Sequence, residues 1–166
     1  MGNIQCGLSK RIGIFGALAL QHPDLALPDV IVHPGIITEQ IRNRRMFSKG
    51  SLTIGDYVIP SARIFWDTGS KQTFVFVPSY DVLGIACSGS FSVSGIGAEV
   101  EARAYPARID LSADLSIDEL IVGVMIGSND ADDDSFESAD IILGMDVIKY
   151  GRLMIDGSNG RFSFEI

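Results

Sequence analysis

One acidic residue of the chain stands in a setting that favours chemistry. Asp67 begins the turn Asp67-Thr68-Gly69-Ser70, directly after the apolar run Ile64-Phe65-Trp66. Aromatic and β-branched residues favour strands, so the sequence places this carboxyl group at the end of a buried strand. An aspartate at a strand end often only hydrogen-bonds its own turn. A later apolar segment, Ile142-Leu143-Gly144, precedes a predicted short helix, and the two segments together favour a functional role.

The order of these segments resembles that of the retropepsin-like aspartic proteases. In that family a hydrophobic strand leads into Asp-Thr-Gly-Ala/Ser, and a later hydrophobic-hydrophobic-Gly segment lies beside it, before a short helix and a C-terminal strand. Residues 94–105 look like the glycine-tipped flap hairpin of retroviral members. The resemblance covers residues 51–166, and the ending after Gly144 is more similar to bacterial members than to viral ones. It implies an all-β fold, a retropepsin-like acid protease barrel with one short C-terminal helix.

The resemblance also implies which residues form the site. Asp67, Thr68 and Gly69 would be the catalytic residues. Thr68 would link two active-site turns by hydrogen bonds, and Gly69 would admit the substrate backbone. The expected substrate-binding residues are Ser70 of the turn, Gly95, Ile96 and Gly97 of the flap, and Ile142 of the later segment. The flap would close over the substrate and exclude water, and residues 162–166 would contribute a strand to a sheet between two subunits.

The chemistry of this family requires a second carboxyl group. One carboxylate removes a proton from water while a second, protonated carboxyl donates to the scissile carbonyl. Two carboxyls about 3 Å apart share a proton and titrate as a pair, as in the aspartic proteases. The chain holds one Asp-Thr-Gly, because Asp156-Gly157-Ser158 has the wrong order. The resemblance therefore predicts a homodimer in which each subunit supplies one Asp67 across a two-fold axis.

Two positions depart from the retroviral pattern. Retroviral members commonly carry an acidic residue two positions after Asp-Thr-Gly and an arginine directly after the later glycine, and the two form a salt bridge. Lys71 and Met145 occupy those positions here. Because both halves of the pair are absent together, the sequence indicates a differently built pocket. Lys71 with Asp146 would restore a reversed pair, which we state as a hypothesis.

Three functions remain open at this level. The first is an active homodimeric aspartic endopeptidase that acts on peptide or protein substrates. The second is a retropepsin-like fold that serves as a dimerisation or peptide-binding module with little or no protease activity. Lys71 supports the second, because a cation near the turn could hold both Asp67 carboxylates ionised and remove the required acid. The third is an unrelated β-barrel in which Asp-Thr-Gly occurs by chance.

Composition and charge exclude several other classes. Of the 166 residues, 46% are hydrophobic and 20% are charged, which is typical of a globular protein. The net charge of −8 repels phosphate backbones and anionic lipid, so neither nucleic acid nor a membrane is the expected partner. The apolar run from Ile12 to Leu20 is too short to span a bilayer. Cys6 and Cys87 are isolated and too few for a disulfide framework, which fits a reducing compartment and a cytoplasmic location.

No cofactor or metal site is expected from the motifs. The acidic segment from Asp130 to Asp134 resembles the start of an EF-hand loop. Ser135 replaces the glycine that such a loop needs, and Ile141 stands where the bidentate glutamate belongs. A solvated acidic loop is the favoured interpretation. The two flap glycines do not continue into a dinucleotide-binding motif.

The chain divides into an N-terminal extension, residues 1–48, and a retropepsin-like aspartic protease domain, residues 49–166. The extension holds half of the six prolines and both histidines. Isoleucines at roughly helical spacing predict a short amphipathic helix between Gly35 and Met46. From residue 51 onwards, short β-rich runs alternate with turn residues, which is typical of an all-β domain.

Turn residues locate the predicted hairpins and helices. Gly55-Asp56, residues 94–97 and residues 156–160 each separate two apolar runs, and each predicts a hairpin. The segment from Ser79 to Leu83 predicts one helical turn capped by Ser79. Residues 146–150 predict the short helix near the C-terminus.

Overall fold

The computed structural model describes residues 9–10, 30–95, 98–127 and 139–166. The apolar run at residues 12–20, the acidic segment at 130–134 and the flap residues Ile96 and Gly97 lie outside these ranges. The described residues form a 12-stranded sheet. Its strands are β1 (Ser9–Lys10), β2 (Ile31–His33), β3 (Ile36–Arg42), β4 (Arg45–Ile54), β5 (Tyr57–Trp66), β6 (Phe74–Val77), β7 (Gly89–Gly95), β8 (Ala98–Asp110), β9 (Ser116–Ile126), β10 (Ile141–Leu143), β11 (Arg152–Asp156) and β12 (Arg161–Glu165). A 3₁₀ turn spans Tyr80–Leu83, and the helix α1 spans Met145–Ile148.

The sheet closes into a barrel. Its strand order is β1-β7-β8-β9-β6-β10-β5-β4-β3-β12-β11, with β2 beside β9. An additional pairing of β8 with β4 joins two distant positions in this order, so β8, β9, β6, β10, β5 and β4 form a closed ring. Closure gives each of these six strands a neighbour on both sides, whereas the sheet still ends at β1 and β11 outside the ring. The predicted all-β barrel with a short helix near the C-terminus is confirmed.

β5, which leads into the Asp67 turn, is anchored in the core at its C-terminal end. Alternate residues of the strand are buried because successive side chains point to opposite faces, and Trp66 is the last of them. Its ring packs against Phe162 and Phe164, with centroids 5.6 and 5.1 Å apart. The indole N–H donates a hydrogen bond of 2.8 Å to Ser48 Oγ, so the polar edge of this buried ring is satisfied. The residue before Asp67 is therefore fixed on several sides.

The helix predicted between Gly35 and Met46 is wrong. The segment forms β3 and the start of β4, and these strands meet at Asn43 and Arg44, whose φ angles are 49° and 62°. Positive φ at both central residues is what a two-residue type I′ hairpin requires. β3 also pairs antiparallel with β12 along five residues. This pairing overrides the roughly helical spacing of the isoleucines, which strands also favour.

The described part of the predicted extension, residues 30–48, is continuous with the sheet. β2 pairs with β9, β3 pairs with β12, and the boundary predicted at residue 48 falls inside β4. The hairpins predicted around residues 55–56 and 156–160 are confirmed as β4–β5 and β11–β12. A helical turn is present at residues 80–83, but Ser79 makes no side-chain cap hydrogen bond. α1 begins one residue before its predicted start and ends at Ile148.

Three further structural facts bear on the excluded classes. No helix formed by the described residues is long and apolar enough to cross a bilayer. Within the same ranges, no group of three or more His, Cys, Asp or Glu side chains is arranged to hold a metal ion. Cys87 is disulfide-bonded, so its interpretation as an isolated cysteine is wrong, and the chain's other cysteine, Cys6, lies outside the described residues. The cytoplasmic location stays a prediction.

Candidate active site

The Asp67 turn is built where two parallel strands end. β5 and β10 pair with Trp66 opposite Leu143, and the backbone N–H of Asp67 donates to the Leu143 carbonyl at 3.0 Å. The turn closes when the N–H of Ser70 donates to the Asp67 carbonyl at 3.1 Å. Asp67 is half-buried, whereas Thr68 and Gly69 are exposed. The strands therefore present one carboxyl group and the two following residues at the surface of a single chain.

The Asp67 carboxylate is oriented by its own turn. Its Oδ1 accepts a hydrogen bond of 2.9 Å from the backbone N–H of Gly69. A Cβ at position 69 would lie 3.2 Å from this same oxygen, which is tighter than ordinary van der Waals contact. Glycine therefore leaves the carboxylate accessible from the side of the turn. This bond also agrees with the simpler interpretation that a strand-ending aspartate stabilises its turn.

The later segment lies beside this turn and binds its far end. The backbone N–H of Met145 donates to the Ser70 carbonyl at 2.8 Å, and Ser70 Oγ donates to the Gln72 carbonyl at 2.7 Å. Gly144 packs so closely on Gln72 that a Cβ there would lie 2.4 Å from the Gln72 backbone. Ile142, half-buried on β10, is flanked by β5 and β6. The structure thus brings residues 67–70 and 142–145 together, and their roles in catalysis and binding stay predictions.

Asp146 belongs to this region in a way that the sequence interpretation missed. Its Oδ2 accepts 2.9 Å from the backbone N–H of Thr73, and its Oδ1 accepts 2.7 Å from Thr73 Oγ1 and 3.0 Å from the Val147 N–H. Desolvation raises the pKa of Asp146, although these hydrogen bonds and the Lys149 charge oppose the rise. Lys71 is exposed and forms no ion pair with Asp146 in the described part of the chain. The hypothesis of a reversed Lys71–Asp146 pair is therefore wrong.

The predicted flap is present as an antiparallel hairpin. β7 and β8 pair over seven residue positions, ending with Gly95 opposite Ala98. Ile96 and Gly97, the residues expected to contact substrate, lie outside the described residues. At the base of the hairpin, the Arg103 guanidinium lies over the Tyr80 ring, 4.0 Å from its centroid. This cation–π contact ties β8 to the 3₁₀ turn.

β12 has no free edge for a strand of a second subunit, and the expectation that residues 162–166 contribute to an intersubunit sheet stays a prediction. Both edges of β12 are already occupied within the chain, by β3 on one side and β11 on the other. A strand with both edges paired has no backbone groups left to pair with a second subunit. Among the described strands, β11 is the one that ends the sheet on this side.

Two solved structures are similar to this chain. A retropepsin-like aspartic protease from Rickettsia conorii matches with a TM-score of 0.54 and 12% sequence identity, covering 82% of this chain and 95% of that chain. The retroviral protease-like domain of Ddi1 from Leishmania major matches with a TM-score of 0.37 and 15% identity, covering 68% of this chain and 83% of that chain. No protein-family model and no curated protein sequence matches the chain. At these identities the Rickettsia match shows a common fold.

Proposed function

Because the chain has the retropepsin-like fold, we propose that it is an aspartic endopeptidase whose active site forms between two copies of the chain. The fold match and the position of Asp67 support this proposal. The observation that carries it is the half-buried carboxyl of Asp67, presented by paired parallel strands and oriented by the Gly69 N–H.

Hydrolysis would proceed through two Asp67 carboxyls that share one proton. The ionised carboxylate would remove a proton from water, while the protonated one would donate to the scissile carbonyl. A single chain holds one such carboxyl, so the monomer is half a site. The exposure of Thr68 and Gly69 supports this arrangement, because these residues would be covered when a second turn approaches.

The contact between the two copies would include the edge of the sheet at β11. Ile155 of this strand lies opposite Phe162, on the face where Phe162 packs against Trp66, yet 58% of its surface is exposed. This apolar face therefore continues beyond the core of one chain, next to the Phe162 ring that packs against Trp66. A second copy with the same edge would cover it through an isologous contact.

A dimerisation or peptide-binding module without protease activity is the second candidate. Lys71 follows the turn and is exposed, and within the described residues no carboxylate lies within salt-bridge distance of it. A cation at that position would favour ionisation of both Asp67 carboxyls and deprive the site of its acid. The pH dependence of hydrolysis separates the two functions.

The test is hydrolysis of a mixed peptide pool from about pH 3 to pH 8, by wild type, Asp67→Asn and a matched control, Asp114→Asn. Asp114 is exposed, and its backbone N–H donates to Ser112 Oγ in the loop between β8 and β9, far along the chain from residues 67–70. We expect cleavage in mild acid by wild type and the control, and none by Asp67→Asn. Cleavage by the Asp67→Asn protein would contradict the proposal. A folded, dimeric wild type that cleaves nothing over this range would favour the module.

A further inference from the structure

Both ends of the Asp67 turn are held by a single short segment. Leu143 accepts from the Asp67 N–H at 3.0 Å, and the Met145 N–H donates to Ser70 at 2.8 Å. Any shift of residues 143–145 would therefore move the turn and the carboxyl group on it. The position of Asp67 depends on whatever fixes this segment.

Thr73 and Asp146 fix it from the opposite side. Gly144, between the two residues that bind the turn, donates its N–H to Thr73 Oγ1 at 3.1 Å. The same hydroxyl donates to Asp146 Oδ1 at 2.7 Å, and the Thr73 N–H donates to Asp146 Oδ2 at 2.9 Å. Thr73 is fully buried. The hydroxyl thus links the residue before β6 to the later segment at two points, the Gly144 amide and the Asp146 carboxylate.

We propose that Asp146, acting through Thr73, is a positioning residue that holds the Asp67 carboxyl in its reacting orientation. The inference rests on the proposed aspartic endopeptidase function. Neither residue touches Asp67 directly. They act through the backbone of residues 143–145, which carries the two hydrogen bonds to the turn.

The direction of each hydrogen bond supports this role. A threonine hydroxyl has one proton to give, and here it gives that proton to Asp146 while it accepts from Gly144. All three partners of Asp146 donate to it, so two acceptor oxygens are required. An asparagine at position 146 would put an NH₂ group in place of one of these oxygens. In one orientation the NH₂ group would face the Thr73 N–H, and in the other it would face the Thr73 hydroxyl and the Val147 N–H. The arrangement therefore specifies aspartate at position 146 and a hydroxyl at position 73.

A matched pair of variants separates the hydroxyl from the shape of the side chain. Thr73→Val keeps the branched shape and removes both hydroxyl hydrogen bonds, whereas Thr73→Ser keeps the hydroxyl and removes a methyl group. We expect Thr73→Val to lower kcat by roughly tenfold to a hundredfold, because small displacements of a catalytic group are costly. KM and dimerisation should be unchanged, and Thr73→Ser should keep most of the kcat. Equal losses in both variants, or a loss confined to KM, would overturn the inference.

Asp146→Asn keeps the test decisive if Thr73→Val fails to fold. This variant preserves size and should lower kcat in the same direction, with KM unchanged. A kcat equal to that of wild type in folded Asp146→Asn would overturn the inference.

Amide hydrogen exchange makes the result independent of protease activity. In Thr73→Val or Asp146→Asn, the amide of Asp67 should exchange at least about tenfold faster than in wild type, because its bond to Leu143 loosens. Amides of β11 and β12 should be unchanged, and Thr73→Ser should resemble wild type. Unchanged exchange at Asp67 in these variants would refute the positioning role. If the wild type cleaves nothing but the variants show the expected exchange pattern, only the proposed function is refuted.

Discussion

Asp67 is held by bonds that an asparagine could also make. The Asn side-chain carbonyl can accept the Gly69 N–H as Asp67 Oδ1 does, and the other turn bonds use the backbone. We expect Asp67→Asn to abolish hydrolysis and to keep the fold, with thermal stability equal to or above that of wild type, because two facing carboxyls repel. Calorimetry and a peptide assay on the same sample check this. Loss of the fold would mean that the carboxylate serves the turn rather than the chemistry.

A close contact with the backbone of Gln72 requires glycine at position 144. Its φ of −100° is open to any residue, but a Cβ would lie 2.4 Å from the Gln72 carbonyl. We expect Gly144→Ala to lower the free energy of unfolding by about 1–3 kcal/mol or more, because the backbone of Gln72 must shift. Gly157→Ala is the control, since a Cβ at that position would have no neighbouring atom within 4 Å, and it should change stability by less than about 0.5 kcal/mol. Denaturant unfolding of both variants at one concentration compares them, and equal effects would contradict the packing argument.

Local sequence was enough to predict the residues of the Asp67 turn, but not the hydrogen bonds between Thr73 and Asp146 that hold the segment beside it. Two short patterns, Asp-Thr-Gly-Ser and Ile-Leu-Gly, contain Asp67, Gly69 and Gly144, and each pattern indicates a turn or a close contact at those residues. Thr73 and Asp146 meet across 73 positions of sequence, and no local pattern indicates that contact. The salt bridge of retroviral members suggested Lys71 as the partner of Asp146. Lys71 is exposed and Thr73 is buried, and the carboxylate is bound by the buried residue instead.

Among the elements, β3 shows where periodicity misleads. Its isoleucines fit a short helix and a strand about equally well, and local spacing alone cannot choose between them. The decision comes from β12, which lies more than a hundred residues away and offers a complete row of backbone partners. Hairpins with explicit turn residues, such as β4–β5, were predictable because both partners are adjacent in sequence.

The loop between β11 and β12 depends on one carboxylate. Asp156 accepts hydrogen bonds from the N–H groups and side chains of Ser158 and Asn159, and these lower its pKa to about 2 from the ordinary 3.8. A depressed folded-state pKa stabilises the protein above the unfolded pKa, and this contribution is lost as the pH falls through the folded pKa. We expect part of the acid destabilisation between about pH 4 and pH 2 to disappear in Asp156→Ala. Unfolding curves across this range test it, and parallel pH profiles for the two proteins would contradict it.

For the whole molecule, the alternation of short strands and turns predicted an all-β domain, and the family resemblance implied that it closes into a barrel. Neither indicated which strands lie at the edges of the sheet. The family resemblance implied that the last strand contributes to an intersubunit sheet. The pairing order encloses β12 between β3 and β11, so β11 is the strand that ends the sheet on this side among the described strands. Which strand is at an edge depends on contacts between residues far apart, such as those of β3 with β12.

Ile155 tests whether this edge is the contact between copies. We expect Ile155→Lys to weaken dimerisation and lower activity in proportion, because a charge would replace apolar surface at the contact. Val58→Lys is the control: Val58 is 56% exposed, against 58% for Ile155, and lies at the opposite end of β5 from Asp67. Sedimentation and activity at matched concentrations compare the variants. A dimeric, fully active Ile155→Lys protein would place the contact elsewhere.

The concentration dependence of activity tests the shared site itself. If each chain carries half of the machinery, activity per milligram should fall when wild type is diluted through its dimer dissociation constant. An excess of Asp67→Asn chains should then draw wild-type chains into mixed dimers that hold one acid residue instead of two. At a tenfold excess of the variant, with freely exchanging subunits of equal affinity, activity per wild-type chain should fall to roughly one tenth. The Asp114→Asn chain, mixed in the same excess, should not inhibit. Full activity in a species that sediments as a monomer would mean that one chain supplies both carboxyls, and since the chain holds one Asp-Thr-Gly, the mechanism would have to be abandoned with the dimer.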